Sequence, residues 1–212
     1  MPVDNFNATV AADAGDALGL DNAGNNLISW VNLSSAVALD SSVATVSYST
    51  GSAFGFYANS ILVTNLIRES TGQPIASEIN SSATINAISI QANFFSTGAQ
   101  QNFWARLVSD ATGSPVGTRA GAVGLFTGTP TWFSITNGTI FGGAATTADV
   151  RGTGFGCYIS IGGGASGTET ISLDAVRIVI DWTNGTETTA RPRRQLIRLP
   201  DGRLAAARAR IR

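Results

Sequence analysis

Short β-forming runs alternate with turn-rich segments along most of the 212-residue chain, and this pattern limits the fold more than any other feature. The turn-rich segments, such as STGSAFG, ATGSPVG and GGGASG, are rich in Gly, Ser, Thr and Pro. Strands of this length and spacing are typical of antiparallel sandwiches and barrels. The sequence therefore predicts an all-β fold, with one short helical turn at TTADVRG. The clearest runs are residues 43–48, 60–67, 83–95, 102–110, 131–136, 155–161 and 170–182.

The last of these runs shows the two-residue alternation of a strand best. Its first face carries Val176, Ile178, Ile180 and Trp182. The opposite face carries Arg177 and Asp181 together with Leu173, Ala175 and Val179. The same alternation places Asp174 and Asp181 on opposite faces, about 23 Å apart. This separation excludes a glycosidase carboxylate pair, which needs about 5 to 10 Å.

The two ends of the chain lack the alternation of β-forming runs and turn-rich segments that marks the middle. Residues 1–26 show no sustained period, so the sequence predicts an extended N-terminal arm with little core of its own. Residues 27–183 form the predicted sandwich, and residues 184–212 form a C-terminal arm. The C-terminal arm has eight arginines against two acids, a net charge of +6, whereas the preceding residues have five arginines against twelve acids, a net charge of −7.

The C-terminal arm interleaves apolar residues with its arginines, and the turn formers Pro200, Asp201 and Gly202 interrupt it. This pattern favours either a short hairpin or a strand followed by a turn of helix. In both, apolar residues dock while the arginines pair with carboxylates of a neighbouring copy or of another acidic protein. Contact with DNA and a disordered tail are the alternatives. The predicted partner-binding residues are Arg191, Arg193, Arg194, Leu196, Ile197, Arg198, Leu199, Arg203, Leu204, Arg208, Arg210 and Ile211.

The residue types argue against catalysis. There is no His, and all 13 basic residues are Arg, so the usual proton-exchanging and Schiff-base side chains are missing. The single Cys157 lies in an apolar run and is predicted to be a buried core residue. The glycine run GTGFG (152–156) precedes a strand and not a helix, so it is not predicted to bind a phosphate. We therefore expect no enzyme activity, cofactor or metal, although Asp40 or Asp174 would be the oxygen donors of a calcium site.

The sequence shows no secretion signal and no apolar stretch of membrane-spanning length, so we expect synthesis in the cytoplasm. Trp104 and Trp132 are the main candidates for stacking on a sugar ring, with Tyr57 and Phe126 as further candidates. Each of these aromatic residues also fits a core position on its strand.

Five segments follow one another along the body: WVNLSSAVALDSSVAT, SATINAISIQANF, WARLVSDATGSPVG, FGCYISI and LDAVRIVIDWT. In this order they resemble the jelly-roll domains of bacteriophage head-decoration, fibre and other virion proteins. The resemblance covers about residues 28–183, and these domains are also similar to carbohydrate-binding modules. This chain departs from the family pattern at Ala87, where Gly is usual, and at Leu33 and Val43, where Pro and Tyr are common.

The resemblance implies an antiparallel jelly-roll sandwich in which the first and last strands share a sheet. It also implies a non-enzymatic virion structural protein, made in the bacterial cytoplasm, that decorates or cements the capsid or serves at the head–tail junction. Its partners would be other virion proteins, such as major capsid, tail or neck proteins, and copies of itself. From the residues themselves we expect no membrane partner, and DNA only as the alternative given above for the arm. The alternative function is a carbohydrate-binding adhesion module that recognises host surface glycans through Trp104 or Trp132.

Overall fold

The computed structural model describes residues 3–20, 27–37, 39–40, 42–50, 56–96, 100–125, 128–136, 145–163, 167–186, 196–198 and 204–206. The strands are β1 (Val3–Asn7), β2 (Val10–Asp13), β3 (Ala44–Thr50), β4 (Phe56–Tyr57), β5 (Ile61–Thr64), β6 (Ile67–Arg68), β7 (Thr84–Ser96), β8 (Gln100–Val108), β9 (Pro115–Leu125), β10 (Thr131–Thr136), β11 (Gly156–Gly163), β12 (Gly167–Thr183), β13 (Leu196–Arg198) and β14 (Leu204–Ala206). The helices are a 3₁₀ turn (Leu33–Ala36), α1 (Ile75–Glu78) and α2 (Thr147–Arg151). Within the described residues, no helix is long and apolar enough to cross a membrane.

Most strands form two antiparallel sheets with the hydrophobic core between them. The first sheet has the order β10-β7-β12-β1-β6, with β3 also paired to β12, and the second has the order β2-β5-β11-β8-β9, with β4 also paired to β11. Alternate residues of facing strands are fully buried, and Phe94 of β7 meets Phe103 of β8 edge-on at 5.4 Å between ring centroids. This confirms the predicted all-β sandwich, because both sheets bury one apolar face against each other.

The predicted N-terminal arm is wrong for residues 3–20, which are part of the sandwich. Strand β1 lies between β12 and β6, with Phe6 opposite Ile178, and β2 is the edge strand of the second sheet. Phe6 is 0 % exposed in the core. The sequence missed β1 because its neighbouring residues on the outer face, Asn5 and Asn7, are polar, so a single aromatic residue carries the whole apolar pattern.

A β-bulge at Asp174 changes the predicted faces of β12. The register passes from Leu173 opposite Phe94 to Ala175 opposite Asn93, which leaves Asp174 as the extra residue. Leu173 and Val176 are both buried in the core, so Asp174 and Ala175 lie together on the outer face. Leu173 was therefore assigned to the wrong face, and Asp174 shares its face with Asp181 instead of opposing it.

The other runs fold nearly as predicted. The run 60–67 divides at Asn65, whose φ of 54° takes the chain from β5 in the second sheet to β6 in the first. Helix α2 confirms the helical turn: Thr146 caps it, and Asp149 accepts a hydrogen bond from the Thr146 backbone N–H at 2.8 Å. Strands β2, β4 and β9 and helix α1 were not predicted.

The C-terminal arm contains an antiparallel strand pair. In the register, Leu196 lies opposite Ala206 and Arg198 opposite Leu204. This pairing agrees with the hairpin alternative and not with a helical turn at residues 204–206. The arm leaves the sandwich beside Asn80, whose side-chain amide donates to the Gly185 carbonyl at 2.8 Å.

Candidate functional site

The outer face of the first sheet carries a groove of about 520 Å³, which we call the Trp132 groove. Trp132 of β10 forms one wall. Val37 and Leu39 lie on the other side, and Val37 makes an antiparallel β-bridge to Ala175 of β12. The lining residues are Asn7, Ala8, Thr9, Val37, Leu39, Ile67, Glu69, Trp132 and Ala175.

Trp132 is held in place by Arg177. The guanidinium carbon lies 4.0 Å from the ring centroid, a cation–π geometry. The Arg177 Nε donates to Gln91 Oε1 at 2.7 Å, and its Nη1 lies 3.6 Å from Glu69 Oε2. Burial lowers the pKa of Arg177 even though Glu69 acts in the opposite direction. The groove wall is thus a pre-positioned indole and not a freely rotating side chain.

Beside the groove, two polar side chains are almost completely buried and incompletely hydrogen-bonded. Asn93 is the register partner of both Trp132 and Ala175, so it lies on the same face as they do. Asn93 and Asp174 are each 5 % exposed, and their Oδ1 atoms have no hydrogen-bond partner. A buried acceptor without a donor costs about 1 to 3 kcal/mol of folding free energy. A hydrogen-bond donor from another molecule that reached these atoms would recover part of this cost.

Asp174 is next to a second carboxyl group. The Asp40 backbone N–H donates to the Asp174 carboxyl group, and burial together with the Asp40 charge raises the pKa of Asp174. The structure thus brings together the two residues that the sequence proposed as calcium ligands. Within the described part of the chain, no group of three or more His, Cys, Asp or Glu residues is placed to hold a metal ion.

Trp104, the other candidate for sugar stacking, lies on the opposite surface of the sandwich. Its ring contacts Tyr57 at 5.6 Å between centroids and covers Gly121, where an added Cβ would approach the indole to 2.9 Å. It also packs against a buried cluster that includes Leu18 and Leu20. The two tryptophans therefore do not share a site, and Phe126 lies outside the described residues.

The predicted arm residues are only partly described. Leu196, Ile197, Arg198 and Leu204 lie in β13 and β14. The other predicted arm residues lie outside the described residues: Arg191, Arg193, Arg194, Leu199, Arg203, Arg208, Arg210 and Ile211.

Two further expectations concern the glycine run and the cysteine. The run 152–156 follows the C-terminal end of α2 and leads into β11, so it lacks the helix N-terminus of a phosphate-binding loop, as predicted. Residues 152–154 instead line a cavity of about 260 Å³ with Arg151, Pro74 and Ile75. Cys157 is completely buried, as predicted, and burial raises its pKa, so the thiol is inert.

Sequence reasoning found Trp132 but missed Arg177, Asn93 and Glu69 as its neighbours. These residues come from β12, β7 and the turn after β6, and each is an ordinary polar residue in its own segment. Comparisons with protein-family models, curated proteins and solved structures found no match for this chain.

Proposed function

We propose that this protein is a non-enzymatic structural component of a bacteriophage virion, acting in capsid decoration, in cementing or at the head–tail junction. Its body is a jelly-roll sandwich, and its C-terminal arm attaches it to neighbouring virion proteins or to copies of itself. The observation that carries this proposal is the strand pair of β13 and β14, which pair with each other and with no other described strand. This pair belongs to a segment of net charge +6 joined to a body of net charge −7.

The position of the termini supports an attachment role. Strand β1 pairs with the end of β12, with Val3 opposite Asp181, so the first and last strands of the body share a sheet, as the resemblance implies. The C-terminal arm therefore starts at the same end of the sandwich as the N-terminus. An arm that starts at one end of a compact body is able to reach a neighbour without disturbing the core.

Truncation of the arm tests the proposal. Deletion of residues 191–212 is expected to leave the body folded, because the two sheets do not use β13 or β14. The truncated chain should be absent from purified particles on immunoblots, and the intact chain should be released by high salt, which screens arginine–carboxylate attraction. Full incorporation of the truncated chain would exclude the arm as the attachment device.

A matched variant separates charge from shape. Replacing the arginines at 191, 193, 194 and 198 with lysine keeps the charge but removes the planar, bidentate guanidinium, whereas replacing them with glutamine removes the charge. We expect partial incorporation for the lysine variant and none for the glutamine variant. Equal incorporation of both variants would mean that these arginines are not contact residues.

The Trp132 groove favours a second candidate function, a carbohydrate-binding module for host glycans. An indole beside amide and carboxylate side chains is the combination that stacks on a sugar ring and hydrogen-bonds its hydroxyls. A glycan array probed with the intact chain, Trp132→Ala and Trp104→Ala tests it. Binding that is lost in Trp132→Ala and kept in Trp104→Ala would favour this function, and no glycan binding by the intact chain would remove it.

A further inference from the structure

We propose that the Trp132 groove is the acceptor for arginine side chains of the C-terminal arm of a second copy of this chain. This inference rests on the proposed function, because it names the partner and the surface that the arm uses. The groove then joins identical subunits in a head-to-tail manner, with the arm of one copy on the first sheet of the next.

An unbalanced pair of carboxyl groups beside the groove supports this docking. Asp40 and Asp174 are the chain neighbours of the lining residues Leu39 and Ala175, and neither forms an ion pair with any described residue. Asp174 is 95 % buried and its Oδ1 is without a donor, as is the Oδ1 of Asn93 on the neighbouring strand. A guanidinium presents five N–H donors in one plane with a positive charge, so it satisfies both the acceptors and the charge.

The indole of Trp132 also suits a guanidinium group. Arg177 already stacks on Trp132, which shows that this ring accepts a guanidinium group. Arg177 does not itself line the groove, so another part of the indole faces the groove. Leu39, which is 62 % exposed on the opposite wall, and Val37 provide apolar contacts for the leucine and isoleucine residues that alternate with the arginines of the arm.

The reach of the chain favours a second copy over the chain's own arm. The arm leaves the body next to Thr183, whereas Ala175 of the groove lies eight residues back along β12, about 26 Å away at the rise of a strand. The nine residues 187–195 span at most about 30 Å when fully extended. The chain's own β13 would therefore reach the groove only if most of residues 187–195 were extended, while the arm of a neighbour has no such restriction.

Site-directed cross-linking between full-length chains tests the proposal directly, because Cys157 is buried and inert. One variant carries Leu39→Cys at the groove, and a second, size-tagged variant carries Ala205→Cys in β14. The control pairs Ala205→Cys with Val10→Cys, which is 42 % exposed on an edge strand of the second sheet. Equal amounts are mixed and treated with a short bismaleimide.

We expect severalfold more cross-linked heterodimer with Leu39→Cys than with Val10→Cys. High salt, or the added substitutions Asp40→Asn and Asp174→Asn, should reduce the yield to that of the control. Equal yields at both cysteines, or a yield that the added substitutions do not change, would overturn the proposal. Cross-linking that occurs only within a chain carrying both Leu39→Cys and Ala205→Cys would also overturn it.

Two results separate this inference from the proposals on which it builds. If the arm-deleted chain is absent from particles but Leu39→Cys gives no specific heterodimer, the arm docks on another virion protein and this inference fails alone. If Trp132→Ala abolishes glycan-array binding and the two cysteines cross-link equally, the groove is a glycan site and the inference is overturned.

Discussion

The outer faces of the two sheets each carry a tryptophan, but the two rings have different surroundings: Trp132 lines a groove, whereas Trp104 packs against a buried cluster. On the second sheet, Leu18 and Leu20 form a buried cluster with Val108 and Tyr158, and Trp104 packs against this cluster. On the first sheet, Trp132, Val37 and Leu39 line a groove of about 520 Å³. The difference lies in what covers the strand and not in the strand itself.

The comparison shows that a tryptophan on a strand does not reveal its role by sequence alone. Trp104 packs against a satellite core, whereas Trp132 is held by Arg177 and lines a groove of both apolar and polar residues. The N-terminal residues help to shape both faces: Asn7 and Ala8 line the groove, and Leu18 covers the second face. Substitutions in this segment therefore test both sides of the comparison.

The largest expected effect comes from Phe6→Ala. This substitution empties a fully buried site between the sheets, where Phe6 also contacts Trp182 at 5.7 Å between centroids. A loss of about 3 to 5 kcal/mol in the free energy of unfolding is expected in urea titrations. The control Val10→Ala, at an exposed edge position, should change it by less than about 0.5 kcal/mol. A similar small loss for both variants would mean that Phe6 is not packed in the core, as expected for the N-terminal arm that the sequence predicted.

Leu18→Ala should have the next largest effect and should act on the second face alone. Leu18 is buried in the cluster that covers Trp104, so its truncation is expected to cost about 2 kcal/mol. Indole emission should shift to longer wavelength as Trp104 becomes hydrated, and cross-linking at Leu39→Cys should not change. A loss of that cross-link would show that the two faces are coupled.

Asp174→Asn tests the first face through the pH dependence of the free energy of unfolding. Because burial and Asp40 raise the pKa of Asp174 in the folded state, ionisation of this group opposes folding. Below its ordinary pKa, near 3.8, the carboxyl group is protonated in both states, and the cost appears as the pH rises through the raised folded-state pKa. At neutral pH and high salt the variant should therefore be more stable than the native chain, with the difference vanishing in acid. A variant that is less stable at neutral pH would contradict the assignment.

The smallest expected effect is that of Gly121→Ala. The new Cβ would approach Cδ1 of Trp104 to 2.9 Å, so the indole has to shift by a few tenths of an ångström. We expect a loss below about 1 kcal/mol, with a changed near-ultraviolet circular dichroism spectrum. Arm docking should be unaffected, and a change in docking would contradict the separation of the faces.

The sequence predicted strands such as β7, β10 and β12 because apolar residues at every second position indicate a strand with one buried face. It did not predict β1, whose single core residue is Phe6, or β9, where Gly117, Gly121 and Gly124 weaken the strand pattern. Such strands depend on neighbours that are distant in the chain, as in the pairing of β1 with β12.

At the candidate site, the sequence singled out Trp132, Asp40 and Asp174, but it did not predict that they lie near one another. The bulge that turns Asp174 outward depends on the register with β7, and Asp40 reaches it because Val37 bridges to Ala175. Arg177 was assigned to the outer face correctly, but its stacking on Trp132 depends on a strand about 45 residues away along the chain. Local pattern therefore predicts which face a residue occupies, and tertiary register decides which residues form a site.

Sedimentation velocity of Trp132→Ala and Trp104→Ala at low salt tests the central claim, that the first sheet's outer face is the docking face, most directly. Both substitutions remove one partly buried indole from an outer face, so each is the control for the other. We predict that Trp132→Ala shifts the chain towards monomer, while Trp104→Ala sediments as the native chain does. Loss of self-association in Trp104→Ala with a native profile for Trp132→Ala would contradict the account.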